Sequence, residues 1–167
     1  MNITKLITTI LCFVMVLCNA AYGFSHDFDV RTKSDITAEQ LDAKFESKDG
    51  SKLKGTGKYF IEAQEKYGIK AEFLAAIAMH ESAIGTSAMA RRKNNLFGLR
   101  GNKGWLSFES PEECIMYAAN NLAKPGGFYF ARKKYTIASI GKTYCPSNTS
   151  KWRSCIISHM KSIKAAS

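Results

Sequence analysis

The run Phe73-Leu74-Ala75-Ala76-Ile77-Ala78-Met79 constrains the fold more than any other part of this chain. It is apolar nearly all round, so a helix built from it offers no face to water and must form the buried centre of a domain. Its expected extent is Ala71 to about Ser82. The helix leads into His80-Glu81-Ser82 and then a glycine-bearing turn, Ala83-Ile84-Gly85-Thr86-Ser87. Glu81 therefore has a hydrophobic helix behind it and a turn in front. Apolar surroundings disfavour the ionised carboxylate and raise its pKa, as a general acid near neutral pH requires. The ordinary alternative is a solvated glutamate at a helix end.

The remaining pattern is helical. Thr37 with Gln40 three residues on is a capping box for a helix reaching about Phe45. A loop rich in Ser, Lys and Gly follows over residues 47–54. Phe60, Ile61, Gln64 and Tyr67 have helical spacing between about Gly57 and the stop at Gly68. Residues 85–107 read as irregular, with room for a small hairpin around Leu99 to Phe108. Ser110-Pro111-Glu112-Glu113 opens the next helix, with Ser110 as N-cap and Glu113 closing its box, and Lys124-Pro125-Gly126-Gly127 breaks it. Helices are also expected over residues 136–143 and 150–164. The expected fold class is mostly α: a helical bundle around a buried central helix, with a very small β-hairpin lobe.

Residues 1–23 read as a secretory signal: Lys5, then an apolar run from Leu6 to Cys18, then small residues. The run is short for a membrane span. Residues 24–35 are polar and aperiodic, read as a flexible lead, and residues 36–165 as one domain. Export implies a secreted, periplasmic or wall-associated protein, a monomer with no stable membrane insertion after cleavage. The formal net charge of +10 then suits anionic wall polymers rather than nucleic acid. Of five cysteines, Cys12 and Cys18 leave with the signal. Cys145 and Cys155 flank a short stretch and are a candidate disulfide; Cys114 falls on an apolar helix face and reads as a buried thiol.

Two metal or thiol readings fail on spacing. His80-Glu81 lacks the second histidine four positions on that a zinc protease needs, since Ile84 stands there. Cys114 with His80 or His159 would make a Cys–His pair, but Cys114 lies inside its helix rather than at the start, where a thiol pKa falls. No metal and no organic cofactor is indicated.

Three segments together resemble the glucosaminidase family of peptidoglycan hydrolases. They are Phe73 to Ser82 with Gly85-Thr86-Ser87; Asn94-Asn95-Leu96-Phe97-Gly98; and Tyr135-Thr136-Ile137-Ala138 through Tyr144-Cys145-Pro146 to Trp152. The resemblance covers roughly residues 36–162. It implies a lysozyme-like α+β fold with Glu81 as general acid and Tyr144 facing it. Such a tyrosine would orient an N-acetyl group or stabilise charge at the anomeric carbon; alternatively it packs at a helix end. Asn94, Asn95, Phe97 and Gly98 would floor a sugar cleft, though asparagines also shape turns and Phe97 suits a core. Trp105 either lines the cleft or pins the hairpin.

Many members of the family carry a longer β-lobe with a second carboxylate. Here residues 100–108 contain no Asp or Glu. Glu109 is the nearest candidate second carboxylate. Without it, the substrate's own N-acetyl group or a muramyl hydroxyl must assist. The expected activity is cleavage of the β-1,4 bond of peptidoglycan glycan strands, as an endo-β-N-acetylglucosaminidase. The alternatives are a muramidase or lytic transglycosylase on the same fold, or a non-catalytic wall-binding protein.

Overall fold

The computed structural model describes residues 27–123 and 128–166. The signal expected at residues 1–23, with Cys12 and Cys18, lies outside the described residues, as does the break expected at residues 124–127.

Among the described residues, seven α-helices and one hairpin make the domain, in line with the mostly α class. Helix α1 (Ala38–Glu46) opens on the expected box: Gln40 N–H donates to Thr37 Oγ1 at 3.3 Å, and Thr37 N–H donates back to Gln40 Oε1 at 3.0 Å. It turns Leu41 and Phe45 inward. Helix α2 (Gly57–Tyr67) ends at Gly68. Helix α3 (Ala71–Glu81) is the centre of the domain: every residue from Ala71 to Met79 is buried. Helices α2 and α7 pack on it. Burying each of Phe73, Leu74, Ile77 and Met79 is worth about 1.5–3 kcal/mol as an upper figure.

One ionisable side chain lies within this buried run. Glu72 is 3% exposed. Its carboxylate accepts from Ser34 Oγ and lies 3.8 Å from Lys70 Nζ and 3.5 Å from Lys164 Nζ. A buried carboxylate persists only with such partners.

Helix α4 (Ala88–Lys93) sits within the stretch read as irregular. Six residues are too few to nucleate alone. Ser87 Oγ accepts from Ala90 N–H at 3.1 Å, and Asn94 ends the helix in a left-handed conformation, φ 48°. Strands β1 (Arg100–Gly101) and β2 (Gly104–Trp105) form the antiparallel hairpin, pairing Arg100 with Trp105 and Gly101 with Gly104. Helix α5 (Pro111–Ala123) follows Ser110, whose Oγ accepts from Glu113 N–H at 3.1 Å. The box closes one residue early, because Glu113 Oε2 accepts from Glu109 N–H at 2.7 Å. Helix α6 (Ile137–Tyr144) has its own box, Thr136 with Ser139. A 3-10 turn, Pro146–Asn148, connects it to α7 (Thr149–Lys164).

The lead expected at residues 24–35 is packed into the domain from residue 27 onward. Asp29 bridges to Thr136, and Val30 is fully buried. Lys70 N–H donates to Val30 O at 2.7 Å. Gln64 clamps the segment: its Oε1 accepts from Ser34 N–H at 2.8 Å and from Ala71 N–H at 3.0 Å. Local periodicity carries no trace of this, because every partner is remote in sequence.

Candidate active site

Glu81 is the last residue of α3, and the turn after it fixes where the helix stops. Ser82, fully buried, donates from Oγ to Ala78 O at 2.5 Å and accepts from Gly85 N–H at 2.7 Å. Ala83, Ile84 and Gly85 then run left-handed in succession, with φ of 51°, 55° and 76°. For a β-branched residue such as Ile84 this conformation is costly and persists only where the surroundings impose it. Two bonds impose it: Ile84 N–H to Met79 O at 2.8 Å and Ser87 N–H to Ser82 O at 2.9 Å. Gly85 is pressed against the loop before α2; a Cβ there would sit 2.6 Å from Ser51 Oγ and 2.8 Å from Lys52 N.

In front of Glu81 lies a cleft of about 370 Å³. Its walls come from α3 (Glu81), the approach to the hairpin (Phe97, Gly98, Leu99, Arg100), α5 (Ala118, Asn121, Leu122), Tyr129, and the end of α6 (Tyr144). Glu81 is the only carboxylate among the described residues that line it. Burial raises its pKa; a hydrogen bond from Trp152 and the charge of His80 oppose that in part. Trp152 Nε1–H donates to Glu81 Oε1 at 3.3 Å. Tyr144 donates from its hydroxyl to Phe97 O at 3.1 Å, and its ring lies on the Trp152 indole at 5.3 Å with 28° between planes. Burial, then the charge of Glu81, pushes the Tyr144 pKa well above its ordinary value, so the phenol remains a donor. Tyr129 sits beside it, ring centres 6.3 Å apart.

Of the expected site residues, Glu81, Tyr144, Phe97 and Gly98 come together in this cleft. The others do not. Asn95 is 1% exposed. Its amide donates to Leu99 O at 2.8 Å and to Leu106 O at 2.9 Å, and accepts from Leu99 N–H at 2.9 Å, so its bonding capacity holds the hairpin. Asn94 caps α4 and donates to Phe108 O at 3.0 Å and Glu109 O at 3.1 Å. Trp105, 45% exposed, lies beneath the Arg100 guanidinium at 4.7 Å rather than in the cleft. Phe97 is both core and wall, with only 2% of its surface exposed. Glu109 is exposed and absent from the lining, because its backbone anchors the start of α5.

The Cys145–Cys155 bridge is not formed in this structure: both are free thiols. The stretch between them is helical rather than a loop that folds back. They share a second pocket of about 280 Å³ with His80, Asn148, Lys151 and Trp152. Cys114 is buried, its Sγ accepts from Leu96 N–H at 3.3 Å, and burial pushes its pKa up to about 11, which rules out a ready nucleophile. Among the described residues no three or more His, Cys, Asp or Glu side chains are placed to hold a metal ion.

Six lining residues carried no site reading from sequence: Leu99, Arg100, Ala118, Asn121, Leu122 and Tyr129. Trp152, which bonds Glu81 from behind, was visible only as the end of a resembling segment. An aromatic in the first turn of the last helix, eight residues after Tyr144, was the available signal.

Comparison with known proteins agrees with this fold. Autolysin E of S. aureus, solved as a catalytic glutamate-to-alanine mutant in complex with the disaccharide NAG-NAM, superposes with a TM-score of 0.66 at 22% identity. That match covers 85% of this chain and 74% of the other. The same protein in complex with the muropeptide NAM-L-Ala-D-iGlu also gives 0.66 at 22% identity, covering 84% and 73%. At that identity the likeness speaks for the fold. Two Streptococcus pneumoniae proteins, from the serotype 4 strain and strain R6 and provisionally named endo-beta-N-acetylglucosaminidase, are 38% identical over 73 residues. That stretch is 42% of this chain but only 11% and 10% of theirs, so the chain matches about a tenth of their length. The model of the glucosaminidase family, described as mannosyl-glycoprotein endo-beta-N-acetylglucosaminidase, matches residues 57–165, which hold Glu81, the cleft and Trp152. With well over half of its length matched, the chain belongs to the glucosaminidase family.

Proposed function

We propose that this protein is a peptidoglycan hydrolase of the endo-β-N-acetylglucosaminidase type, with Glu81 as its general acid. One observation carries the reading: a half-buried carboxyl group with a raised pKa, donor-bonded from behind, facing a cleft lined by no second carboxylate among the described residues. A group that keeps its proton near neutrality can deliver it to the glycosidic oxygen as the bond to the anomeric carbon breaks.

A single carboxylate favours assistance by the substrate. The carbonyl oxygen of the 2-acetamido group attacks the anomeric carbon while the leaving oxygen takes the proton of Glu81. Water then opens the cyclic intermediate, giving its proton back to the Glu81 carboxylate. Tyr144, which lines the cleft with Glu81 and whose hydroxyl donates to Phe97 O, would align the acetamido group in this reading. The autolysin neighbour's bound NAG-NAM supports a glycan strand as the ligand. No Asp or Glu occurs after Glu113, so the C-terminal third of the chain is uniformly basic. That supports anionic wall polymers as partners and action outside the membrane. No helix among the described residues is long and apolar enough to cross a membrane.

The test is turbidity clearing of purified walls, followed by mass spectrometry of the released muropeptides after reduction. Reduced N-acetylglucosamine ends support the proposal. Reduced muramic acid ends would make the protein a muramidase. Anhydromuramyl ends would mean the muramyl hydroxyl, not the acetamido group, attacks. Wall binding without release would leave a binding protein.

A further inference from the structure

We propose that Trp152 is a positioning residue that assigns the proton of Glu81 to one oxygen, Oε2, and keeps that oxygen turned to the cleft. The inference rests on the reading of Glu81 as general acid.

A carboxylic acid carries its proton on one oxygen, and a donor geometry that leaves the choice open lets half the population face the wrong way. Indole nitrogen donates and never accepts. The carbonyl oxygen of a carboxylic acid is a better acceptor than its hydroxyl oxygen, so the bond to Glu81 Oε1 favours the carbonyl there and leaves Oε2 as the protonated oxygen. Oε2 is the oxygen toward the cleft floor: it lies 3.8 Å from where a Cβ on Gly98 would be, and Gly98 lines the cleft.

The indole is held tightly enough to impose this choice. It is 3% exposed. Tyr144 stacks on it, and α6 approaches it at Gly141, where a Cβ would meet Trp152 Cε3 at 3.0 Å and Cζ3 at 3.2 Å. Helix α7, which carries Trp152, packs along α3, which carries Glu81. Trp152 also walls the second pocket, so it stands between the Glu81 carboxyl and the space around Cys145 and Cys155. Its N–H opposes the effect of burial on Glu81. The other titratable or charged groups around Glu81 and its cleft are His80 on α3, Tyr144 on α6, Tyr129 before α6 and Arg100 on the hairpin; α5 contributes none to the cleft lining.

The experiment replaces Trp152 in two ways in a Trp105→Phe background. Trp152→Phe keeps a flat ring against Tyr144 and removes the donor. Benzothienylalanine, incorporated in place of tryptophan, keeps the shape and also removes the donor. Both should lower kcat by about tenfold, the worth of one hydrogen bond of about 1.4 kcal/mol, with KM unchanged within about twofold. Both should also move the alkaline fall of kcat/KM to higher pH, since only the charge of His80 then opposes the burial of Glu81. A parental pH profile in the benzothienyl protein, whatever its kcat, would overturn the proposal. Loss of kcat in Trp152→Phe alone would mean packing, not the N–H, matters, and would also overturn it. Glu81→Gln is run in parallel. If it retains activity, the reading of Glu81 as acid fails. If it is inactive while both Trp152 replacements keep the parental pH profile, only the present inference fails.

Discussion

On the helical side of the cleft, Glu81, Tyr144 and Trp152 come from three helices and are packed against one another. Each polar atom there makes one bond inward, and Glu81 keeps an oxygen for the cleft. On the hairpin side, the two strands are two residues each, and the side-chain N–H groups of both asparagines that shape them are spent on backbone carbonyls. The helical wall has a long apolar core to hold its side chains still. The hairpin has almost none, so Asn94 and Asn95 hold its backbone instead. An amide in a sugar-binding family can therefore be structural, and reading it as a ligand group from residue type alone misassigns it.

The largest effect should come from the helical wall. Glu81→Gln should keep the fold and lower wall lysis by at least about a hundredfold, the usual worth of a placed proton donor. Activity within a few-fold of the parent at equal thermal stability removes Glu81 from the chemistry. The same variant tests the electrostatics. A carboxyl whose folded pKa is raised stabilises fully only below the ordinary carboxylate range, and that stability is lost as pH rises through the folded value. Glu81→Gln should thus be more stable than the parent at neutral pH, the gain vanishing near about pH 3. Parental activity should fall on the alkaline side through the same titration.

On the hairpin wall, Asn95→Ala should cost roughly 2–3 kcal/mol of stability, because three bonds vanish and leave backbone groups unpaired. Thermal melting and saturation kinetics separate the roles. An unchanged melting temperature with a raised KM would show that Asn95 serves the substrate after all.

Glu109→Gln should change kcat by less than about threefold, a surface substitution away from the cleft. Damage equal to that of Glu81→Gln would mean two carboxylates act, and that the hairpin side closes over the cleft during turnover.

The smallest effect concerns the thiols. At about pH 8 a disulfide reagent should modify Cys145 and Cys155 in the native protein and reach Cys114 only on unfolding. Three fast reactions would contradict the burial of Cys114. A Cys145–Cys155 bridge in exported protein is also open to test, since the two open onto one pocket; non-reducing peptide mapping would find the linked peptide.

Elements whose signals are local were readable in advance. The box at Thr37, the stop at Gly68 and the N-cap at Ser110 each lie within four residues of the helix end they define. The all-apolar run into Glu81 declared both the central helix and the environment of its last carboxylate. Helix α4 escaped because six residues, three of them basic and two alanine, have no periodicity to detect.

What the sequence by itself determined was the class of fold, the central helix, and a carboxyl group placed where burial raises its pKa, all consequences of contacts within a few residues. What only the tertiary structure decided was which side chains surround that carboxyl. Trp152 meets Glu81 across 71 positions and Tyr144 reaches Phe97 across 47. Such pairs depend on how α6 and α7 cross α3, and that crossing is set by the packing of the whole core rather than by any segment's own pattern.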